Sequence, residues 1–228
     1  MSRIVALLVC VATLSFQVAP AEAGAPPSPV GDANPRLDPV PAGKVAVVAS
    51  SAPSHDVMAV IVQNGTNHPV TNTRVRAAVA STDGGAVVAS KRTVVVPATL
   101  APGAYGLARV VFRAGGLAAD ASPRFRVTSS RSTSASDPRS LVAGPLTRST
   151  PMEGAVAQTL SFPVTNPRTR AVAGPITATV MCFNEAGTPV NVTTTTVRRG
   201  GLAPGRTATV TARLAQLCPA ALVVARSA

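Results

Sequence analysis

Apolar residues in this chain come in short runs. Val45-Ala46-Val47-Val48, Val57 to Val62, Thr73 to Ala80, Ala86 to Val96, Tyr105 to Arg113 and Arg124 to Thr128 are rich in β-branched and apolar positions. Clusters of Gly, Pro, Asn and Asp separate them, and runs of that length and composition predict strands. A second series follows: Leu160 to Thr165, Ile176 to Phe183, Pro189 to Val197, Arg206 to Leu214 and Ala221 to Ala225. No stretch carries the 3.6-residue period of an amphipathic helix, and Leu117 to Asp120 could make one turn at most. The expected class is all-β.

The two series are copies of one unit. Asn64 is followed thirty-six residues later by Leu100-Ala101-Pro102-Gly103, and Asn166 at the same spacing by Leu202-Ala203-Pro204-Gly205. Val75, Val79 and Asp83 answer to Ile176, Val180 and Asn184. A repeat of about ninety residues is an architectural statement. Within it, Pro102 and Pro204 preset φ at one corner of a turn, and Gly103 and Gly205 permit the positive φ that a type II turn needs at the next. These four are expected to be structural turn residues. Asn64 and Asn166 stand where strands end, and an Asn side chain there satisfies local backbone groups. Asp83-Gly84-Gly85 and Asn184-Glu185-Ala186-Gly187 are hairpin signals.

Outside the copies the composition shifts. Arg3 and the apolar Ile4 to Leu14 have the form of a signal peptide, and Ala21-Glu22-Ala23 is the small-x-small pattern cut after Ala23. The expected divisions are a signal peptide over 1–23, a proline-rich leader over 24–43, one sandwich over 44–128, a linker over 129–140 and a second sandwich over 141–228. Six prolines in the leader predict an extended, largely unpaired segment. The linker, SSRSTSASDPRS, is Ser-rich and reads as flexible. The apolar N-terminal run is short of the roughly 20 residues that span a bilayer, and no later stretch could span one. Localisation is expected to be secreted or periplasmic.

Short strands at regular spacing, Pro-Gly turns and no intervening helices point to tandem immunoglobulin-like Greek-key β-sandwiches. Val180-Met181-Cys182-Phe183-Asn184 with Gly187, followed by Leu202-Ala203-Pro204-Gly205, resembles FxLYD-type and related immunoglobulin-like modules of bacterial envelope proteins. The first copy carries Asn64, Val79-Ala80-Ser81-Thr82-Asp83 and Leu100-Ala101-Pro102-Gly103, departing from the pattern where Thr82 replaces the usual aromatic. The resemblance covers about four-fifths of the mature chain. It implies an extracytoplasmic, non-catalytic module that packs on, spaces or binds other envelope components.

Charge and chemistry narrow this further. The net charge is +12, nearly all from arginine, in a chain with no Trp, one Tyr and five Phe. A nucleic-acid surface clusters its cations and adds aromatic platforms. Here Arg74, Arg76, Arg109, Arg113, Arg124, Arg126, Arg168, Arg170, Arg198, Arg199 and Arg213 are dispersed, several two apart and so on one face of a strand. They read first as the solvated outer face of a sheet, with attraction to anionic envelope polymers or lipid headgroups as the alternative. Nucleic acid is not expected.

Once Cys10 leaves with the signal, Cys182 and Cys218 remain, and an even count in an exported chain predicts a disulfide, the alternative being two buried thiols. His55-Asp56, His68 and scattered serines form no nucleophile elbow or triad signature, and two histidines do not make a zinc site. No catalytic residue, cofactor or metal ligand is assigned. The functional expectation is an exported, non-catalytic binding or scaffolding protein whose partners are envelope proteins or anionic envelope polymers. The alternative is an exported hydrolase or enzyme inhibitor with its site on loops.

Overall fold

In the computed structural model, residues 29–54, 56–80, 87–112, 123–134, 137–149, 157–198 and 200–227 are described. The predicted signal peptide with its cleavage site, the Asp83-Gly84-Gly85 turn, His55, Arg113, Arg199 and the Leu117–Asp120 stretch lie outside them. The described elements are all strands: β1 (Val30–Gly31), β2 (Val45–Ser50), β3 (Val57–Asn64), β4 (Val70–Ala80), β5 (Val87–Ala89), β6 (Thr93–Val94), β7 (Tyr105–Val111) and β8 (Pro123–Arg131) come first. They are followed by β9 (Ser140–Ala143), β10 (Thr147–Arg148), β11 (Gln158–Thr165), β12 (Ile176–Phe183), β13 (Pro189–Arg198), β14 (Thr207–Leu214) and β15 (Ala220–Ser227). Every pairing among them is antiparallel.

The pairing repeats with the sequence. In the first unit β3 lies between β2 and β7, and β4 takes β5, β6 and β8 as partners. In the second, β11 pairs with β10 and β14, and β12 lies between β13 and β15. The short β9 pairs with both β11 and β15, joining the two sheets of the second unit at one edge. Each unit thus closes two sheets on one core: Met58, Val60, Val62 and Val110 with Val75 and Val79 in the first, Leu160, Phe162 and Val210 with Ile176, Val180 and Val223 in the second.

A third core lies between the units. Alternate residues of a strand face opposite sides; β3 is apolar on both, and β12 and β15 are so over the half that holds Met181, Phe183, Leu222 and Val224. Met58, Val60 and Val62 enter the first core, whereas Ala59 and Ile61 join Leu107, Met181, Phe183, Val192, Leu222 and Val224 in the seam. The molecule is therefore four sheet layers deep, with the central strands of the two inner sheets, β3 and β12, buried on both faces over most of their length. Strands of that kind read as unbroken apolar runs, as Val57-Met58-Ala59-Val60-Ile61-Val62 does. The expectation of a solvated outer face holds for the first unit's outer sheet, where Arg76, Arg124 and Arg126 are exposed; Arg74 and Arg213 are exposed too but line clefts between the units.

The leader is tied across the seam. Val30 and Gly31 pair with Val223 and Leu222, and a Cβ on Gly31 would stand 1.9 Å from the Ala221 carbonyl oxygen. Asp32 accepts the Ala221 N–H at 2.9 Å and pairs with Arg148. Farther along, Arg36 N donates to Gly187 O at 2.9 Å in the second unit, and Asp38 N to Val48 O at 2.7 Å in the first. Ala33, Leu37 and Val40 pack on the seam core. Proline removes donors only at its own positions, so the residues between keep theirs and use them.

The Ser-rich connection is anchored as well. Ser129 to Arg131 belong to β8 and Ser140 opens β9. Between them Asp137, 4% exposed, accepts Ala98 N at 2.7 Å from the first unit, while Arg168 Nη2 of the second donates to its carbonyl at 2.7 Å.

Candidate functional site: the turn clasps, the disulfide and a groove at the seam

Asn64 and Asn166 are each fully buried and perform one task twice. Asn64 Nδ2 donates to His68 O at 2.9 Å and Leu100 O at 3.0 Å, and Asn166 Nδ2 to Arg170 O and Leu202 O, both at 3.0 Å. Their Oδ1 atoms accept the backbone N–H two residues on, from Thr66 and Arg168. The same strand ends hold the turns, since Gly103 N donates to Asn64 O and Gly205 N to Asn166 O. Ala104 N closes on Ala101 O and Arg206 N on Ala203 O, around Pro102-Gly103 and Pro204-Gly205. Gly103 and Gly205 have φ of 75° and 65°. All six residues serve the backbone.

Cys182 on β12 and Cys218 before β15 form a disulfide with Cα atoms 5.3 Å apart. Cys182 points into the second core, and its neighbours Met181 and Phe183 point into the seam. The bridge thus fixes the strand that both cores share. At the adjoining hairpin, Gly187 N donates to Asn184 O and Thr188 N to Asn184 Oδ1.

Of the candidates for chemistry, His68 Nδ1 lies 3.1 Å from Asn67 Oδ1, and the carbonyl of Asp56 accepts Phe112 N. Among the described residues no three His, Cys, Asp or Glu side chains converge as metal ligands would. No described helix is long and apolar enough to cross a membrane.

The open space lies along the seam. The face that β12 and β15 turn to the first unit is apolar over Met181, Phe183, Leu222 and Val224, and polar over Thr177, Thr179 and Arg226. Register places Thr177 beside Arg226 and Thr179 beside Thr194 of β13. Apolar surface closes against the first unit, whereas hydroxyls and a guanidinium without facing partners leave the layers apart. A central cleft of about 290 Å³ results, walled opposite by Val94, Leu107 and Arg109.

That cleft shares Val94 and Arg226 with a second of about 360 Å³, which reaches Arg74, Asp137 and Arg139. It shares Arg109 with a third of about 430 Å³, which reaches Asn191 and Arg213. Sequence reasoning singled out Arg74, Arg109 and Arg213, but as members of separate strand faces. The structure brings them to one groove and adds Arg139 and Arg226. Dispersion along the chain concealed this, because the groove draws on both copies and the connection between them.

No protein-family model matches this chain, and no curated protein matches it in sequence.

Proposed function

We propose that this is an exported, non-catalytic binding or scaffolding protein of the bacterial envelope, acting through two immunoglobulin-like modules. Support for the module type comes from the strand order: β3 pairs with β2 and β7 as β11 does with β10 and β14, and β4 pairs with β5, β6 and β8 as β12 does with β13 and β15. The disulfide fits a secreted or periplasmic location.

The observation that carries the reading is the four-layer stack. Its repeated residues are committed to turns and cores, and three adjoining clefts lie between the units. Concave surface at the junction of two modules is where ligands are commonly held. Crosslinking in intact cells, followed by recovery of the protein from envelope fractions, tests the reading. A specific envelope component captured from intact cells supports it. Recovery only from the cytoplasm, or turnover of ester or glycoside substrates by the purified protein, would contradict it.

A further inference from the structure

The groove at the seam carries a chemical signature. Five arginines line it: Arg74, Arg139, Arg226, Arg109 and Arg213. Asp137 is the one carboxylate in its lining, and its two oxygens already accept Ala98 N and Arg139 N at 2.7 and 2.8 Å. Among the described residues the arginine–carboxylate ion pair is Arg148–Asp32, outside the groove, so none of the five guanidiniums is ion-paired with a described carboxylate. Like charges gathered in a concavity raise the local potential and attract anions more strongly than the same charges on an open face. Arginine adds a planar fork that matches phosphate and carboxylate oxygens bidentately.

We infer that this groove binds a linear, non-nucleic polyanion, an envelope polymer bearing phosphate or carboxylate groups along its length. The inference rests on the proposed role as an envelope binding protein and names the partner of that site. Shape decides for a chain over a single ion. Arg226 on β15 and Thr194 on β13 stand on either side of β12, and two interstrand spacings separate them by about 10 Å. The flanking clefts continue the path at both ends, with cations at each. Concavity decides against a membrane, since a flat layer of headgroups cannot enter between two sheets. The lining residues include no aromatic side chain for base stacking, which decides against single-stranded nucleic acid. The Thr177, Thr179 and Thr194 hydroxyls on the groove wall are suited to hydrogen bonding with a polyol or sugar backbone.

The test uses the full mature chain with fluorescently labelled polyphosphate and oligogalacturonate, read by anisotropy, with neutral dextran and single-stranded DNA as comparisons. The expected result is binding to one or both polyanions, weakening steeply as salt rises. Preference between the two probes identifies phosphate or carboxylate. R109Q and R226Q should each weaken binding at least tenfold. R124Q, which removes one charge from β8 at the position opposite Ala78, outside the groove lining, should change it less than twofold. R109Q alters an exposed side chain, so its fold is expected to persist even if R226Q loosens the seam.

Equal weakening by R124Q would show a net-charge effect and overturn the groove. So would tighter binding to DNA than to either polyanion, or no binding to any probe. Each of these leaves the envelope crosslinking result standing, so failure of the groove is distinguishable from failure of the wider role.

Discussion

Asn64 Nδ2 donates to the carbonyl of Leu100 at 3.0 Å, across the thirty-six residues that separate them. The Asn166–Leu202 bond has the same length and the same separation. Each bond ties a strand end to the turn that launches the next long strand, β7 in the first unit and β14 in the second. Because the side chain is buried, its loss leaves the Thr66 or Arg168 N–H without its acceptor and removes one of the two donors on the Leu100 or Leu202 carbonyl. Asn64→Ala and Asn166→Ala should each lower stability by about 1–3 kcal/mol, the range for buried polar groups left unsatisfied. Urea midpoints at constant slope measure this. Loss below about 0.5 kcal/mol would mean that water replaces the clasp.

The seam predicts its own mutational signature. Phe183 and Ile61 are fully buried between the units and contribute to neither unit's own core. Truncating such residues costs about 2–5 kcal/mol. Phe183→Ala and Ile61→Ala should therefore destabilise residues of both units, even though each lies in one. Hydrogen exchange resolved by segment would reveal it. Changes confined to the mutated unit would contradict a shared core.

How much of this was legible depended on which face of a strand carried information. Turn chemistry announced Pro102-Gly103 and Pro204-Gly205, and the main strands fell close to where apolar runs placed them. The unbroken run Val57 to Val62 also signalled burial on both faces, yet nothing local said what covered the second face. Strands β1, β9 and β10 were missed because their pairing depends on edges built elsewhere; Val30-Gly31 has no strand pattern until β15 offers a ladder. The groove was least legible, since its arginines converge only when the two units dock.

Acid should loosen the leader. The Arg148 guanidinium bonded to Asp32, aided by the Ala221 N–H, holds the Asp32 carboxyl below its ordinary value of 3.8, despite partial desolvation. A carboxyl whose folded value is depressed stabilises the folded state above its unfolded value, and that contribution disappears as pH falls through the folded value. Attachment of Val30–Gly31 to β15 should thus be constant above about pH 5 and weaken below pH 4. Asp32→Asn should weaken attachment at neutral pH and flatten the acid dependence, as read by proteolysis at the leader. An unchanged acid profile in that variant would assign the effect elsewhere.

Reduction of Cys182–Cys218 should lower stability by roughly 3–4 kcal/mol in the loop-entropy model. Both cysteines lie in the second unit, so an isolated module would confine the effect to residues 141–228. The structure argues for a wider effect, because β12 carries Cys182 into one core and Phe183 into the next. Denaturant melts with and without reductant measure the loss. Alkylation of the untreated protein at both cysteines would contradict the bridge itself.

Whether the two units behave as one body is tested most directly by calorimetric unfolding of the full mature chain. The buried seam predicts a single transition whose calorimetric and van't Hoff enthalpies agree, and which shifts as a whole when the disulfide is reduced. Two resolved transitions, with only one responding to reductant, would show that the units are separate and that the groove between them has no fixed walls.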